Sequence, residues 1–515
     1  MTQPGGAPAG AAALHPSSRA GDLSGKLVWL LLLPVALLLW GLGDFGLLNN
    51  VEGMYAEIGR EMLAGSGWQH WVVPHLNGVP YIEKPPLLYW SIAVSMSLFG
   101  EHDWAVRLVS ASAGMICLGF VYAYGRAMVG ARFGFLAAFA LGTSAGFVMM
   151  SKVAMTDALL SGYLTGALLL SQWALRQQRL RLLWAAMVCL ALAVLAKGLV
   201  AFALYGLVWF GWLVTAGRGQ RLRVVLFLNR PSAWGVFLLV VAPWHIAAAL
   251  ALPEFSWFYF INEHVLRFLG LRVPKDYYSG TPFYYLPRLV LMAAPWGFAL
   301  LAGLARRGKT NGDGIGAFLW ACVLAPLIFF SASSAKANYY VLVCLPGLAL
   351  LAARHLERWL SHGGTGRLTA VLLIGVAFIP AEAWMLHYAA QEETSFSARQ
   401  MAAHVAARQQ AEPLPLFLFQ DFEDYSALPF YLQSNAIGVV DEKSADLDFG
   451  LGLGQKRDPA RYPSLEAFAA RRDSALLLIL DARVREGLPL LLAPHLEKLE
   501  RVGNATLYRF APGKA

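Results

Sequence analysis

What most limits the folds open to this chain is a series of apolar runs, each close to the roughly 20 residues that carry a helix across a bilayer. Eleven can be read, at 27–43, 104–128, 133–150, 157–175, 182–197, 198–215, 233–251, 286–304, 315–331, 338–355 and 367–387. With 57% of its 515 residues hydrophobic and only 14% charged, the composition is that of an integral membrane protein rather than a soluble enzyme. The first run has no small-residue cleavage site after it and reads as an uncleaved helix. Residues 1–25, rich in Ala, Gly, Pro and Ser, read as a disordered tail. Cysteines 117, 189, 322 and 344 lie inside apolar segments without paired metal spacing and read as small core residues.

The net charge of +9 does not point to nucleic acid, because the basic residues sit in short loops between apolar runs. Arg126, Arg132, Arg176, Arg179, Arg218, Arg221, Arg230, Arg354 and Arg367 lie in such loops with few acids nearby, which places those loops in the cytoplasm. With the N-terminus inside, eleven crossings put the C-terminal segment outside. The same alternation sorts the other ionic residues. Glu52, Glu83, Lys84, Asp157, Lys197, Glu263, His264, Arg267 and Lys336 all fall on the outer side, although they come from distant parts of the sequence. This convergence predicts an external active site.

The first outer loop, within 44–103, carries the sharpest pattern. In Val51–Met62 the apolar residues Val51, Met54, Tyr55, Ile58 and Met62 share one face and Glu57, Arg60 and Glu61 another, which predicts a helix lying at an interface. Glu52, just after Asn49-Asn50, is placed either as a first-turn acid in the helix dipole or as a catalytic carboxylate. Tyr81-Ile-Glu83-Lys84-Pro85-Pro86 follows; its prolines withhold two backbone donors and hold the charges on an irregular turn. A lysine fixed there can bind a lipid phosphate as a point charge. Asp157 starts a span, where a paired or cavity-lining role is expected. Lys197-Gly198 interrupts an apolar run, which snorkelling also explains. On a helix His264 and Arg267 share a face, and a histidine near Glu83 would offer two ligands for a divalent cation. Lys336, Tyr339 and Tyr340 open the tenth span at the outer surface.

From about 389 charged residues become frequent and apolar runs shrink to strand length. Strands are expected at 413–420, 436–441, 475–480 and 506–510, alternating with helices near 395–410, 464–472 and 484–493. The expected organisation is therefore a tail at 1–25, a membrane domain at 26–388 and an external α/β domain at 389–515.

Tyr55-Ala-Glu57-Ile, Pro74-His75-Leu-Asn77-Gly78-Val-Pro80-Tyr81-Ile-Glu83-Lys84-Pro85-Pro86, Thr156-Asp157-Ala, Glu263-His264-x-x-Arg267-Phe268 and Lys336-x-x-x-Tyr340 resemble a known family. It comprises the bacterial polyprenyl-phosphate-sugar glycosyltransferases related to the lipid A 4-amino-4-deoxy-L-arabinose transferase and, more distantly, the dolichyl-phosphate-mannose protein mannosyltransferases. The resemblance covers roughly residues 25–390. It implies a GT-C fold of about 11–13 transmembrane helices, with juxtamembrane helices in the first periplasmic loop and a C-terminal periplasmic α/β domain. It also implies lipid-phosphate binding by Lys84, Arg267 and Tyr340, metal or substrate contact by Glu83 and His264, donor-site positions for Tyr55, Tyr81 and Lys197, and catalytic positions for Glu83 and Asp157 beside Glu52. Members commonly carry Asp-Glu-x-Arg-Tyr where this chain has Val51-Glu52-Gly53-Met54-Tyr55, leaving Glu52 as the nearest acid. The implied activity is transfer of a sugar from an undecaprenyl-phosphate donor to a lipid or glycan acceptor at the periplasmic face of the bacterial inner membrane, with a divalent metal ion as an expected cofactor. From a different class, a transporter or lipid flippase would spread its ionic residues through the depth of the bilayer.

Overall fold

In the computed structural model, residues 28–275, 278–305, 314–361, 365–420, 422–452 and 458–512 are described. The expected tail at 1–25 lies outside them. Seven of their helices are long and apolar enough to cross a membrane: Asp103–Met128, Thr156–Gln177, Leu180–Lys197, Pro231–Ala251, Ile315–Ala332, Asn338–Ser361 and Gly366–Gln391. Ala131–Gly142 and Ala145–Ser151 make one further span bent by 66°. The remaining expected crossings are shorter helices, Val28–Leu39 and Leu199–Thr215, and an interrupted pair, Tyr285–Met292 and Trp296–Ala305.

Burial ranks these helices. Thr156–Gln177 and Asn338–Ser361 have 78% of their apolar windows buried inside the protein, against 11% for Gly366–Gln391. The first two therefore form the centre of the bundle, and they carry Asp157 and Tyr340. The last presents its side chains outward, as a lipid-facing helix does.

The first long loop, between Val28–Leu39 and Asp103–Met128, folds into the helix Glu52–Ala64, a hairpin of β1 (His75–Leu76) and β2 (Val79–Pro80), and the helix Leu87–Phe99. Asn77 and Gly78, both at positive φ, form the two-residue hairpin turn. The helix Glu52–Ala64 has no wet face, contrary to its sequence pattern. Glu52 and Glu57 are fully buried, and Arg60 and Glu61 nearly so.

The C-terminal region covers this helix. Its five-stranded sheet runs β4-β3-β5-β7-β6, with β3 (Leu416–Phe419), β4 (Gly438–Val440) and β5 (Ala475–Leu480) parallel, and β6 (Leu496–Val502) and β7 (Ala505–Phe510) antiparallel. Strand β6 escapes the sequence pattern because it is a half-exposed edge strand carrying Glu497, Lys498, Glu500 and Arg501, charges of the kind that blunt an edge. The docking to the first loop is polar and close. The Leu47 amide donates to the Tyr431 hydroxyl at 2.7 Å, the Asn50 amide to Ser426 Oγ at 3.0 Å and Asn50 Nδ2 to Asp424 at 3.0 Å. A side chain at Gly53 would meet the Ala427 backbone at 2.5 Å, so the two segments approach as only glycine permits.

Candidate active site

Three ionic assemblies among the described residues gather the charges singled out in the sequence, at helix ends and in the loops beside them. The first is built on Glu52. Arg107, fully buried in the second turn of Asp103–Met128, donates Nε to Glu52 Oε1 at 2.9 Å and Nη2 to Oε2 at 2.6 Å. Its other donors go to the Leu42, Phe45 and Gly46 carbonyls at 2.7–2.9 Å, and the guanidinium lies 4.0 Å above the Phe45 ring. Glu52 also accepts the Leu48 and Ala154 amides, at 3.1 and 2.7 Å. Its four acceptor sites are filled and it has no exposed surface, the setting of a scaffold charge that ties the first loop to the segment just before Asp157 rather than the open lone pair that the catalytic expectation for Glu52 calls for.

The second assembly gathers five ionic side chains from two loops. Lys84 Nζ and Arg267 Nη1 each donate to Glu263 Oε2 at 3.2 Å. Arg272 donates Nη2 to Glu83 Oε1 at 2.5 Å and Nε to Glu263 Oε1. Lys84 Nζ lies 3.6 Å from Glu83 Oε2, which also accepts the Tyr81 hydroxyl at 3.4 Å. Asn262 places Arg272: its amide group exchanges two hydrogen bonds with the Val273 backbone, at 2.8 and 3.1 Å. Burial would raise the Glu263 carboxyl, but the charges of Lys84, Arg272 and Arg267 outweigh it and hold the group well below the usual carboxylate range. The two carboxylates and Arg272 are sealed, with side chains at most 4% exposed, whereas Lys84 and Arg267 keep 18% and 19%. The set thus holds three cations against two carboxylates, with the open surface on the cationic side.

The third assembly sits on the central helices. Lys197, the last residue of Leu180–Lys197, pairs with Asp157 in the first turn of Thr156–Gln177. The Lys197 ammonium lies 4.5 Å from the Tyr340 ring centroid and 5.6 Å from that of Tyr339, a cation–π arrangement. Tyr339 is within electrostatic reach of Asp157, Tyr55 and Arg267, which brings the second and third assemblies together. Tyr55 and Tyr81 both pack on Tyr89, at 5.7 and 6.4 Å between centroids.

The expected metal pair does not fit. Glu83 is engaged by Arg272, Lys84 and Tyr81. His264 Nδ1 donates to the Tyr259 carbonyl at 2.6 Å, and Nε2 accepts the Leu199 amide at 2.9 Å, leaving no nitrogen lone pair for a cation. The surplus of positive charge around Glu83 also opposes a divalent ion. Among the described residues no group of three or more His, Cys, Asp and Glu is arranged to hold a metal.

Sequence reasoning missed Arg107, Arg272 and Asn262. Arg107 is hidden at the mouth of an apolar run, where it reads as one more flanking charge. Arg272 gives no local signal either: Lys84 and Arg267 already balance the two carboxylates in number, so nothing in the sequence calls for a third cation.

Residues 83–260 match the family model described as dolichyl-phosphate-mannose-protein mannosyltransferase. Over 338 residues the chain is 32% identical to the undecaprenyl phosphate-α-4-amino-4-deoxy-L-arabinose arabinosyl transferase of Erwinia tasmaniensis, covering 64% of this chain and 58% of that protein. Over 355 residues it is 32% identical to a protein of the same name, numbered 2, from Pseudomonas fluorescens, covering 66% and 62%. The chain thus spans about three fifths of the length of these relatives. The crystal structure of ArnT from Cupriavidus metallidurans bound to undecaprenyl phosphate superposes with a TM-score of 0.75 at 22% identity, covering 96% of this chain and 99% of that one. The archaeal oligosaccharyltransferase AglB from Archaeoglobus fulgidus gives 0.55 at 13% identity, covering 94% and 73%. The chain is therefore a multispan membrane protein with the GT-C fold, related in sequence over about two thirds of its length to the undecaprenyl-phosphate-aminoarabinose transferases.

Proposed function

We propose that this protein transfers a sugar from an undecaprenyl-phosphate-linked donor to a lipid or glycan acceptor of the cell envelope, at the periplasmic face of the inner membrane. One observation carries the reading: Lys84 and Arg267 lean on the same oxygen of Glu263 while both keep an exposed edge. Glycosyl transfer from such a donor leaves a lipid phosphate carrying the departing negative charge, and two preorganised cations stabilise it without further reorganisation. Arg272, Glu83 and Glu263 hold those cations in place. Lys197 and Asp157, with Tyr339 and Tyr340, form the adjoining wall. Lipids of the bilayer hold the donor's tail along the bundle.

The acceptor side follows from what is not free. Glu52 is locked to Arg107, and Glu83, Glu263 and Asp157 are each in an ion pair. The reading that suits this is an acceptor that arrives already ionised, such as a phosphate of a lipid A-like glycolipid, which needs little help from a general base. The sugar carried by the named relatives, 4-amino-4-deoxy-L-arabinose, is the first donor to test. A transporter would place ionic groups through the bilayer depth; here the ion pairs of Lys84, Arg267 and Lys197 lie in loops and at helix ends, which favours the transferase. The test is purified protein in lipid nanodiscs, incubated with polyprenyl-phosphate sugars and a panel of envelope lipids. Sugar transfer that falls with Lys84→Ala is the expected result, and no transfer to any acceptor by the wild type would refute it.

A further inference from the structure

The helix Leu199–Thr215 begins immediately after Lys197-Gly198, and its Ncap residue, Gly198, has no side chain to satisfy the first amides. The need is met from another segment, because the Leu199 amide donates to His264 Nε2 at 2.9 Å. The other ring nitrogen donates to the Tyr259 carbonyl, and since a carbonyl only accepts, the proton is on Nδ1 and the lone pair on Nε2. Burial lowers the imidazole's affinity for a proton, which keeps that lone pair available. Gly198 adopts φ +79°, and a Cβ there would collide with the His264 ring and approach the Tyr259 hydroxyl. Imidazole and helix break are thus fitted to each other. His264 is next to Glu263, on which Lys84, Arg267 and Arg272 converge, and the break it caps is next to Lys197, which pairs with Asp157.

We propose that His264 is a positioning residue that caps the Leu199–Thr215 helix across the chain, fixing Lys197 and Asp157 relative to the Lys84–Arg267 pair, and that Glu83 and His264 carry no metal. The inference rests on the transferase reading only for its kinetic arm. Glutamine at 264 can present an amide oxygen near the position of Nε2 and is a poor ligand for zinc or manganese, whereas leucine fills the space without an acceptor.

The test compares wild type, His264→Gln, His264→Leu and Gly198→Ala in nanodiscs. Metal content is measured by mass spectrometry, melting is followed with EDTA, zinc or manganese added, and kcat and KM are taken for the polyprenyl-phosphate sugar. The expected outcome is substoichiometric metal in the wild type and melting unchanged by chelator or added ion. His264→Gln should keep kcat within about twofold, while His264→Leu and Gly198→Ala each lose about tenfold in kcat with donor KM little changed, the factor that a net loss of about one hydrogen bond corresponds to. Melting should rank His264→Gln above His264→Leu. Stoichiometric metal whose removal lowers melting or activity and whose return restores it, or a His264→Leu protein identical to wild type in melting, overturns the proposal. If the wild type transfers no sugar, the transferase reading fails, while metal content and the melting order still decide the role of His264.

Discussion

Substitution of Glu52 by glutamine separates a scaffold charge from a catalytic one. The wild-type carboxylate receives two bonds from Arg107 and two from the amides of Leu48 and Ala154. Glutamine is nearly isosteric, but each carboxylate oxygen accepts one guanidinium N–H and one backbone amide, so an NH2 group in either position faces both and turns two of the four bonds into repulsive contacts. Arg107 also loses the carboxylate it is hydrogen-bonded to while remaining fully buried. Breaking one side of a buried ion pair costs about 3–5 kcal/mol, and a folded domain has only about 5–15 kcal/mol in reserve. The variant should therefore melt far below wild type and accumulate poorly. Replacing both partners, Glu52→Gln with Arg107→Met, should recover only part of the loss, because the Leu42, Phe45 and Gly46 carbonyls are then left without a donor at about 1–3 kcal/mol each. The assay is thermal melting of the purified full chain with sugar transfer measured on the folded fraction. A Glu52→Gln protein with wild-type melting but transfer reduced a hundredfold would refute the scaffold reading and restore Glu52 as a catalytic acid.

Lys84→Ala and Arg267→Ala should each lower kcat for transfer by roughly 100-fold, as removal of a charge-stabilising donor does; equal kcat with only KM altered would place them in donor binding alone. Arg272→Met leaves Glu83 and Glu263 buried with fewer cations, and is expected to cost about 3–5 kcal/mol of stability, read by melting. In the Glu52–Ala64 helix, burial pushes the Glu57 carboxyl up to about 8 against the opposing pull of Arg60, and Glu61 is raised as well. A carboxyl raised on folding stabilises fully below about 4.5 and loses that contribution as pH rises toward about 8. Melting should therefore decline across that interval and the decline should flatten in Glu57→Gln; an unchanged slope contradicts it. Tyr431→Phe removes the hydroxyl that accepts the Leu47 amide and donates to Asp103 at 2.9 Å, and should increase protease sensitivity at residues 44–50 with stability lowered by about 1–3 kcal/mol.

The membrane helices were legible because hydropathy is a property of consecutive residues. Each expected run corresponds to a helix or helix pair, and the departures are local: the 66° bend falls at Thr143-Ser144 and the break between Met292 and Trp296 holds Pro295, a polar pair and a proline too brief to lower the hydropathy of the run. Charges set in apolar surroundings were legible for the same reason. Lys84 and Arg267, 183 positions apart in the sequence, do meet on one carboxylate. Partnerships were less so. Glu52 looked available because Arg107, 55 residues on, gave no local sign that it was its counterion. Periodicity along Glu52–Ala64 correctly separated two faces, but could not reveal that the polar face is covered by a domain encoded more than 350 residues later. His264 and Glu83 share a residue vocabulary with metal sites, and only the paths of their hydrogen bonds assign them elsewhere.

The latch between Leu47 and Tyr431 joins residues 384 positions apart. A ribosome adding at most roughly 20 residues per second makes Tyr431 no sooner than about 19 s after Leu47. During that interval the first loop waits with the amides of Leu47 and Asn50 satisfied by solvent. Maturation of the pocket thus depends on synthesis of the segment that carries Tyr431, and a nascent chain halted before it would present that loop open to proteases.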